Sequence, residues 1–205
     1  MPAPPTSCSS RFAAPEAGRH DHPAMLRRHV LLLPLAAGTG SVLAQPTGVP
    51  LPAELGGELP AARLRGTATM RWLGLTIYDI ELWSPGPVAG EVLDDPLALT
   101  LRYARSLKGR AIAERSLDEM RRIGPFSEGQ ANQWLAAMTR VFPDVGADDR
   151  LTGVHLPGRG ARFFHNAQWR GEVADAQFAR LFFGIWLSPR TSEPGLRRQL
   201  LGQGT

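Results

Sequence analysis

LALTLRYARSLKGRAIAERSLDEMRRI, residues 97–123, changes its hydrophobic period midway, and that change decides the fold class. Leu97, Leu99, Leu101 and Tyr103 alternate with smaller or polar neighbours, the period of a half-buried strand. Past Gly109, Ile112, Leu117, Met120 and Ile123 recur at helical spacing, while Arg110, Glu114, Asp118, Arg121 and Arg122 can stay wet. Arg105, Lys108, Arg110 and Arg115 cluster around the changeover, where their charge could hold an anionic or carbonyl ligand.

Working outward, two extended segments precede this stretch, Arg63 to Met70 and Gly74 to Trp83. In the second, Thr76, Tyr78, Ile80 and Leu82 make a better core face than Leu75, Ile77, Asp79 and Glu81. Asp79 and Glu81 then read as acidic residues on an exposed sheet face, without catalysis. The helix after Gly109 should stop at Gly124-Pro125. A second follows, with Ser127 as N-cap and Gln130 completing a capping box, packed through Ala131, Trp134, Leu135, Met138, Val141 and Phe142 and ended by Pro143. LTGVHLP, ARFFHN and Trp169–Val173 read as a strand meander turning at LPGRG and at Asn166–Gln168. Asp175 can cap a further helix with Phe178, Leu181, Phe182, Ile185 and Trp186 on its buried stripe, and a short terminal helix begins near Pro194. Strands, two helices, a meander and a helix imply α+β: an antiparallel β-sheet covered by helices.

Three segments carry a resemblance: GTATMRWLGLTIYDIELW (66–83), AIAERSLDEMRRIG (111–124) and RLFFGIWLSPRTSEPGLRRQLLG (180–202). Together and in this order they resemble the bacterial branch of the chalcone isomerase-like family. The resemblance implies an open-faced β-sandwich with a ligand cleft between sheet and helices. Arg71 resembles the arginine that the family places before its corresponding strand, where a guanidinium engages a substrate oxygen or a fatty acid carboxylate; a solvent-facing or structural arginine is the alternative. Tyr78 falls on the core face, its phenol serving either a ligand oxygen or a backbone carbonyl. Arg115 aligns with a lysine of the plant enzymes' active helix and Glu119 with an asparagine; one helical turn apart, they equally make an ordinary salt bridge. Ligand-binding candidates are therefore Arg71, Tyr78, Arg115 and Glu119.

The departures from the family pattern point away from catalysis. The catalytic tyrosine of true chalcone isomerases falls at Ile112, and their threonine near Leu73. Neither side chain can position water or stabilise an enolate. No catalytic residue is assigned, and Glu114 and Asp118, flanked by arginines, read as a wet helix face. His155 and His165 lack the company of a zinc constellation, and neither a Walker sequence nor a dinucleotide-binding GxGxxG occurs, so no metal or cofactor is expected.

The ends of the chain suggest export. MLRRHVLLLPLAAGTGSVLAQ from Met25 has a basic start, an apolar stretch and small residues Val42 and Ala44 before a cleavage after Ala44. Arg27-Arg28 leaves a general or twin-arginine route open. Residues 1–24 are either a disordered arm or a start assigned too far upstream; 25–44 form the signal peptide, 45–61 a flexible leader and 62–205 the domain. Removing residues 1–44 leaves 161 residues and takes away Cys8, the single cysteine. It also reduces 23 basic and 19 acidic residues to 19 and 17, a net charge of +2. That balance gives no general nucleic-acid surface, and the signal segment is too short and glycine-broken for a stable membrane span.

The expectation is a periplasmic, monomeric, non-enzymatic binder of a small amphipathic or carboxylated molecule, such as a fatty acid, with Arg71 near its acidic head. Trp83, Trp134, Trp169, Trp186 and Phe163-Phe164 either line its lipid pocket or fill the core. Two alternatives stand: an isomerase or lyase acting on a small carbonyl compound through Arg71, Tyr78 and Arg115, and a periplasmic protein-interaction or structural protein.

Overall fold

Six antiparallel strands lie side by side in chain order: β1 (Arg63–Trp72), β2 (Leu75–Ser84), β3 (Leu97–Tyr103), β4 (Arg150–Leu156), β5 (Gly160–His165) and β6 (Gln168–Val173). The structure, a computed structural model, describes residues 49–88 and 90–203. The arm or upstream start at 1–24, the signal segment at 25–44, Cys8 and the first residues of the leader lie outside the described residues. Among the described residues no helix is long and apolar enough to cross a membrane.

Helices α2 (Gly109–Ile123) and α3 (Glu128–Val141) form an excursion between β3 and β4, and α4 (Ala176–Leu187) and α5 (Pro194–Leu200) follow the sheet. The helices cover one face, packing on Ile80, Leu82, Leu99, Leu101 and Phe163. Their ends are held as the sequence implies. Ser127 Oγ accepts the Gln130 N–H while Gln130 Oε1 accepts the Ser127 N–H, closing the capping box of α3. Asp175 accepts the Phe178 N–H at the start of α4 and, through its other oxygen, the indole N–H of Trp134. At α2, Asp144 reaches in from the loop after α3, accepting the Gly109 N–H at 3.0 Å and pairing with Lys108 at 2.7 Å. A negative group therefore already occupies that helix N-terminus. Gly109 has to be glycine, because a Cβ there would run into the carbonyls of Phe142 and Pro143.

The opposite face of the sheet is covered at one end only. A short helix α1 (Leu55–Glu58) and its flanks bury Leu55, Leu59 and Ala62 against Trp83, Ala98, Val154 and Phe164. Glu54 accepts from Thr152 Oγ1 at 2.6 Å and Glu58 pairs with Arg162 at 2.9 Å. The stretch expected as a flexible leader over 45–61 is packed from Leu51 onward, a strap over residues 51–62. The other end of this face is polar and open, carrying Thr67, Thr69, Arg71, Asp79 and Arg102.

Candidate functional site

Between the sheet and the helix layer lies a cavity of about 400 Å³. Its walls are mostly apolar: Leu99, Leu101 and Leu151 from the sheet, Ile112 from α2, and Phe182 and Phe183 from α4. Gly153 on β4 keeps the floor low, because an added Cβ would stand 3.2 Å from Phe183 and 3.3 Å from Phe163. A bulge where Met70 pairs with Tyr78 but Arg71 with Thr76 lets the consecutive residues Ile77 and Tyr78 both line the cavity.

Polar groups gather in one part of the wall. Glu119 is buried on α2 and holds Arg115, one turn earlier, at 2.5 Å; Arg122 stands 3.6 Å from its other oxygen, which also accepts from Ser192 Oγ at 2.9 Å. Glu193 completes the group and is without an ion pair among the described residues. Tyr78 is the neighbour of this cluster. Its oxygen accepts the indole N–H of Trp186 at 3.0 Å, and its own proton finds no acceptor among the described residues. Burial pushes the phenol up to about 12; the Trp186 bond opposes the rise, and Glu193 and Glu119 add to it. Tyr78 is accordingly a neutral donor near pH 7. Tyr103, 5.9 Å from Tyr78 ring to ring, is pushed up by burial and by Tyr78 itself.

Of the four candidates, the structure brings Tyr78, Arg115 and Glu119 together and leaves Arg71 apart. Met70 and Trp72 face the cavity, so strand alternation turns Arg71 to the open face beside Asp79 and Arg102. An acidic head held at Arg71 cannot share a chamber with an apolar body in this cavity; Arg115 is the guanidinium on the cavity wall. Ile112 lines the cavity without a hydroxyl, and Leu73 is 80% exposed in the β1–β2 turn. The basic cluster around Gly109 is dispersed into pairs: Lys108 with Asp144, Arg110 with Glu114, and Arg115 with Glu119. The aromatic residues divide. Trp186 and Phe163 line the cavity, Trp134 packs between Phe126 and Phe178, and Trp83 and Phe164 lie under the strap on the other face. Trp169 is exposed.

The Trp186–Tyr78 bond joins residues 108 apart, so no local spacing announces it. Ser192 and Glu193 had a visible signal only as the residues before Pro194, the start of α5.

A family profile described as chalcone isomerase-like matches residues 47–202. An uncharacterised protein of Haemophilus influenzae is 30% identical over 138 residues, spanning 67% of each chain. Among solved structures, the crystal structure of an Arabidopsis thaliana fatty-acid binding protein superposes with a TM-score of 0.55 at 14% identity, covering 69% of this chain and 87% of that one. That likeness is one of fold.

Proposed function

This chain belongs to the chalcone isomerase-like family, and we propose that it is an exported, non-enzymatic carrier of a small amphipathic molecule, with a fatty acid the leading candidate. The carrying observation is the apolar cavity of about 400 Å³, within the usual range for small-molecule sites, with its polar groups drawn together around Arg115. An acyl chain would lie among the leucine and phenylalanine side chains, its head meeting the Tyr78 hydroxyl and the Arg115 guanidinium. Arg115 is paired on one side yet two-thirds exposed, leaving further donors of its fork free. The fatty-acid binding protein of similar fold favours this ligand class.

The same groups speak against acid–base chemistry. A phenol held near 12 is far from the operating pH that a general acid or base requires, and Ile112 and Leu73 supply no hydroxyl. The head-group region is also charge-balanced, with Arg115 and Arg122 facing Glu119 and Glu193. A carboxylate must compete with Glu119 for Arg115, whereas an alcohol or ketone head need not.

The test is native mass spectrometry of the protein from a periplasmic fraction, followed by titration with palmitic acid and hexadecanol. A mass beginning at Gln45, a co-purifying acyl compound and saturable uptake of palmitic acid support the reading. Ile112→Trp, which fills the cavity from α2, should abolish uptake while the protein remains folded. Arg115→Gln should weaken palmitic acid by about tenfold, the worth of one charge-assisted hydrogen bond, and leave hexadecanol unchanged. Uptake that survives Ile112→Trp, or no uptake of either compound, overturns the carrier reading.

A further inference from the structure

The β1–β2 hairpin ends in an exposed apolar tip for which neither the core nor the cavity accounts. Trp72, Leu73 and Leu75 are 63%, 80% and 51% exposed, three of only five large hydrophobic residues exposed to this degree among the described residues. The tip also overshoots the sheet. Tyr103, the last residue of β3, pairs with Tyr78; beyond it, among the described residues, β2 receives one further backbone bond from this strand, from the Ala104 N–H to the Ile77 carbonyl at 3.0 Å. Leu73 and Gly74 make the two-residue turn with φ of 49° and 78°, a conformation that leucine disfavours and asparagine adopts readily. A leucine so exposed in that position contributes nothing to folding that a polar turn residue would not.

The exposed charges that flank the tip in sequence and at the adjoining end of β3 are basic. Arg71 adjoins it, and Arg105 follows Ala104 at the same end; both are exposed and without an ion pair among the described residues. Asp79 is engaged by Arg102 and Thr69, and Asp144 by Lys108, while Glu193, without an ion pair among the described residues, lies on the cavity wall. Trp72 also lines the cavity, so the tip stands at its mouth.

We propose that the β1–β2 hairpin tip is a membrane-docking element, with Trp72, Leu73 and Leu75 entering the interfacial layer of an anionic bilayer and Arg71 and Arg105 lying against its head groups. Tryptophan and leucine flanked by arginine is the chemistry that an anionic lipid surface recognises. Three side chains are too small an area for a stable contact with a second copy, which needs on the order of 1,000 Å². Docked in this way, the cavity mouth faces the lipid. The proposal rests on the hairpin's exposure and charge, and holds whatever occupies the cavity.

The test is flotation of the full chain with vesicles of phosphatidylglycerol and phosphatidylethanolamine, and with vesicles of phosphatidylcholine alone. The decisive variant is Leu73→Asn with Leu75→Thr, which suits the turn and the strand and replaces no residue that lines the cavity. Wild type should float with the anionic vesicles and be released by salt. The double variant should bind at least about tenfold more weakly, while its palmitic acid uptake in vesicle-free solution equals that of wild type. Arg71→Gln with Arg105→Gln should lose the preference for anionic vesicles. Since all proteins carry the same N-terminal segment, the differences read the hairpin alone. Equal flotation of the double variant, absence of wild-type flotation, or a wild-type dimer in sedimentation that the double variant dissolves, overturns the proposal.

Discussion

Tyr78 shows how one side chain can be read correctly for burial and incompletely for partnership. Its place on the core face of β2 follows from alternation with Ile80 and Leu82, and it stands there. A phenol beside a cleft is expected to donate to a ligand oxygen or a backbone carbonyl; its oxygen also accepts from the Trp186 indole, a partner that expectation did not include. Trp186 is itself buried, so Tyr78→Phe leaves an indole N–H without its partner. The expected loss is about 1–3 kcal/mol, the desolvation penalty of one unsatisfied donor, read as a shift of the urea midpoint. A variant as stable as wild type would mean that the indole finds another acceptor. Arg71 makes a complementary case. Family likeness drew it toward the ligand, yet the alternation of Met70, Arg71 and Trp72 already separated it from residues on either side. Local periodicity was the better guide there.

At the scale of elements, the strands and helices were legible where their pattern depends only on nearby residues. The switch from alternation to helical spacing across Gly109, the capping box at Ser127 and the stop at Pro125 are all of this kind. The strap over Leu51–Ala62 was not. Its leucines are spaced among proline and glycine, and their burial exists only because Trp83, Ala98, Val154 and Phe164 present a second apolar face from four different strands. No window of sequence contains that face. Leu55 is fully buried beneath it, so Leu55→Ala should destabilise the protein by about 2–5 kcal/mol in urea unfolding. A truly loose leader would register close to zero. The family match beginning at residue 47 agrees with a domain that includes the strap.

For the whole molecule, one buried group ties sheet, helix layer and connecting turn together and makes stability depend on pH. His155 on β4 packs against Phe183 of α4 with ring centroids 5.1 Å apart. Its Nε2 stands 2.9 Å from the Leu93 carbonyl in the turn before β3, and since a carbonyl only accepts, Nε2 carries the proton. Nδ1 is buried with no partner among the described residues, so protonating it would place a charge in a buried site without a counter-group. Burial accordingly holds the imidazole below its ordinary value, opposed by the Leu93 bond. A folded-state value below the unfolded one means that the unfolded chain takes up the proton first. The stability associated with a neutral His155 is therefore complete above about pH 6.5 and is lost as pH falls from there through the lower folded value. Asp144 and Asp149, held below the ordinary carboxylate value by Lys108 and by Asn166 respectively, lose their contributions only at lower pH, as it falls through their own folded values. The two losses begin at different pH, the histidine's near its unfolded value of about 6.5 and the carboxylates' near theirs of about 4. Urea midpoints should fall between pH 7.5 and pH 5, and His155→Gln, which keeps a side-chain donor but does not titrate, should flatten that fall while leaving the steeper loss below pH 4. If the variant keeps the wild-type slope between pH 7.5 and 5, the acid sensitivity arises elsewhere, and the junction of β4, α4 and the Leu93 turn is not what neutral pH protects.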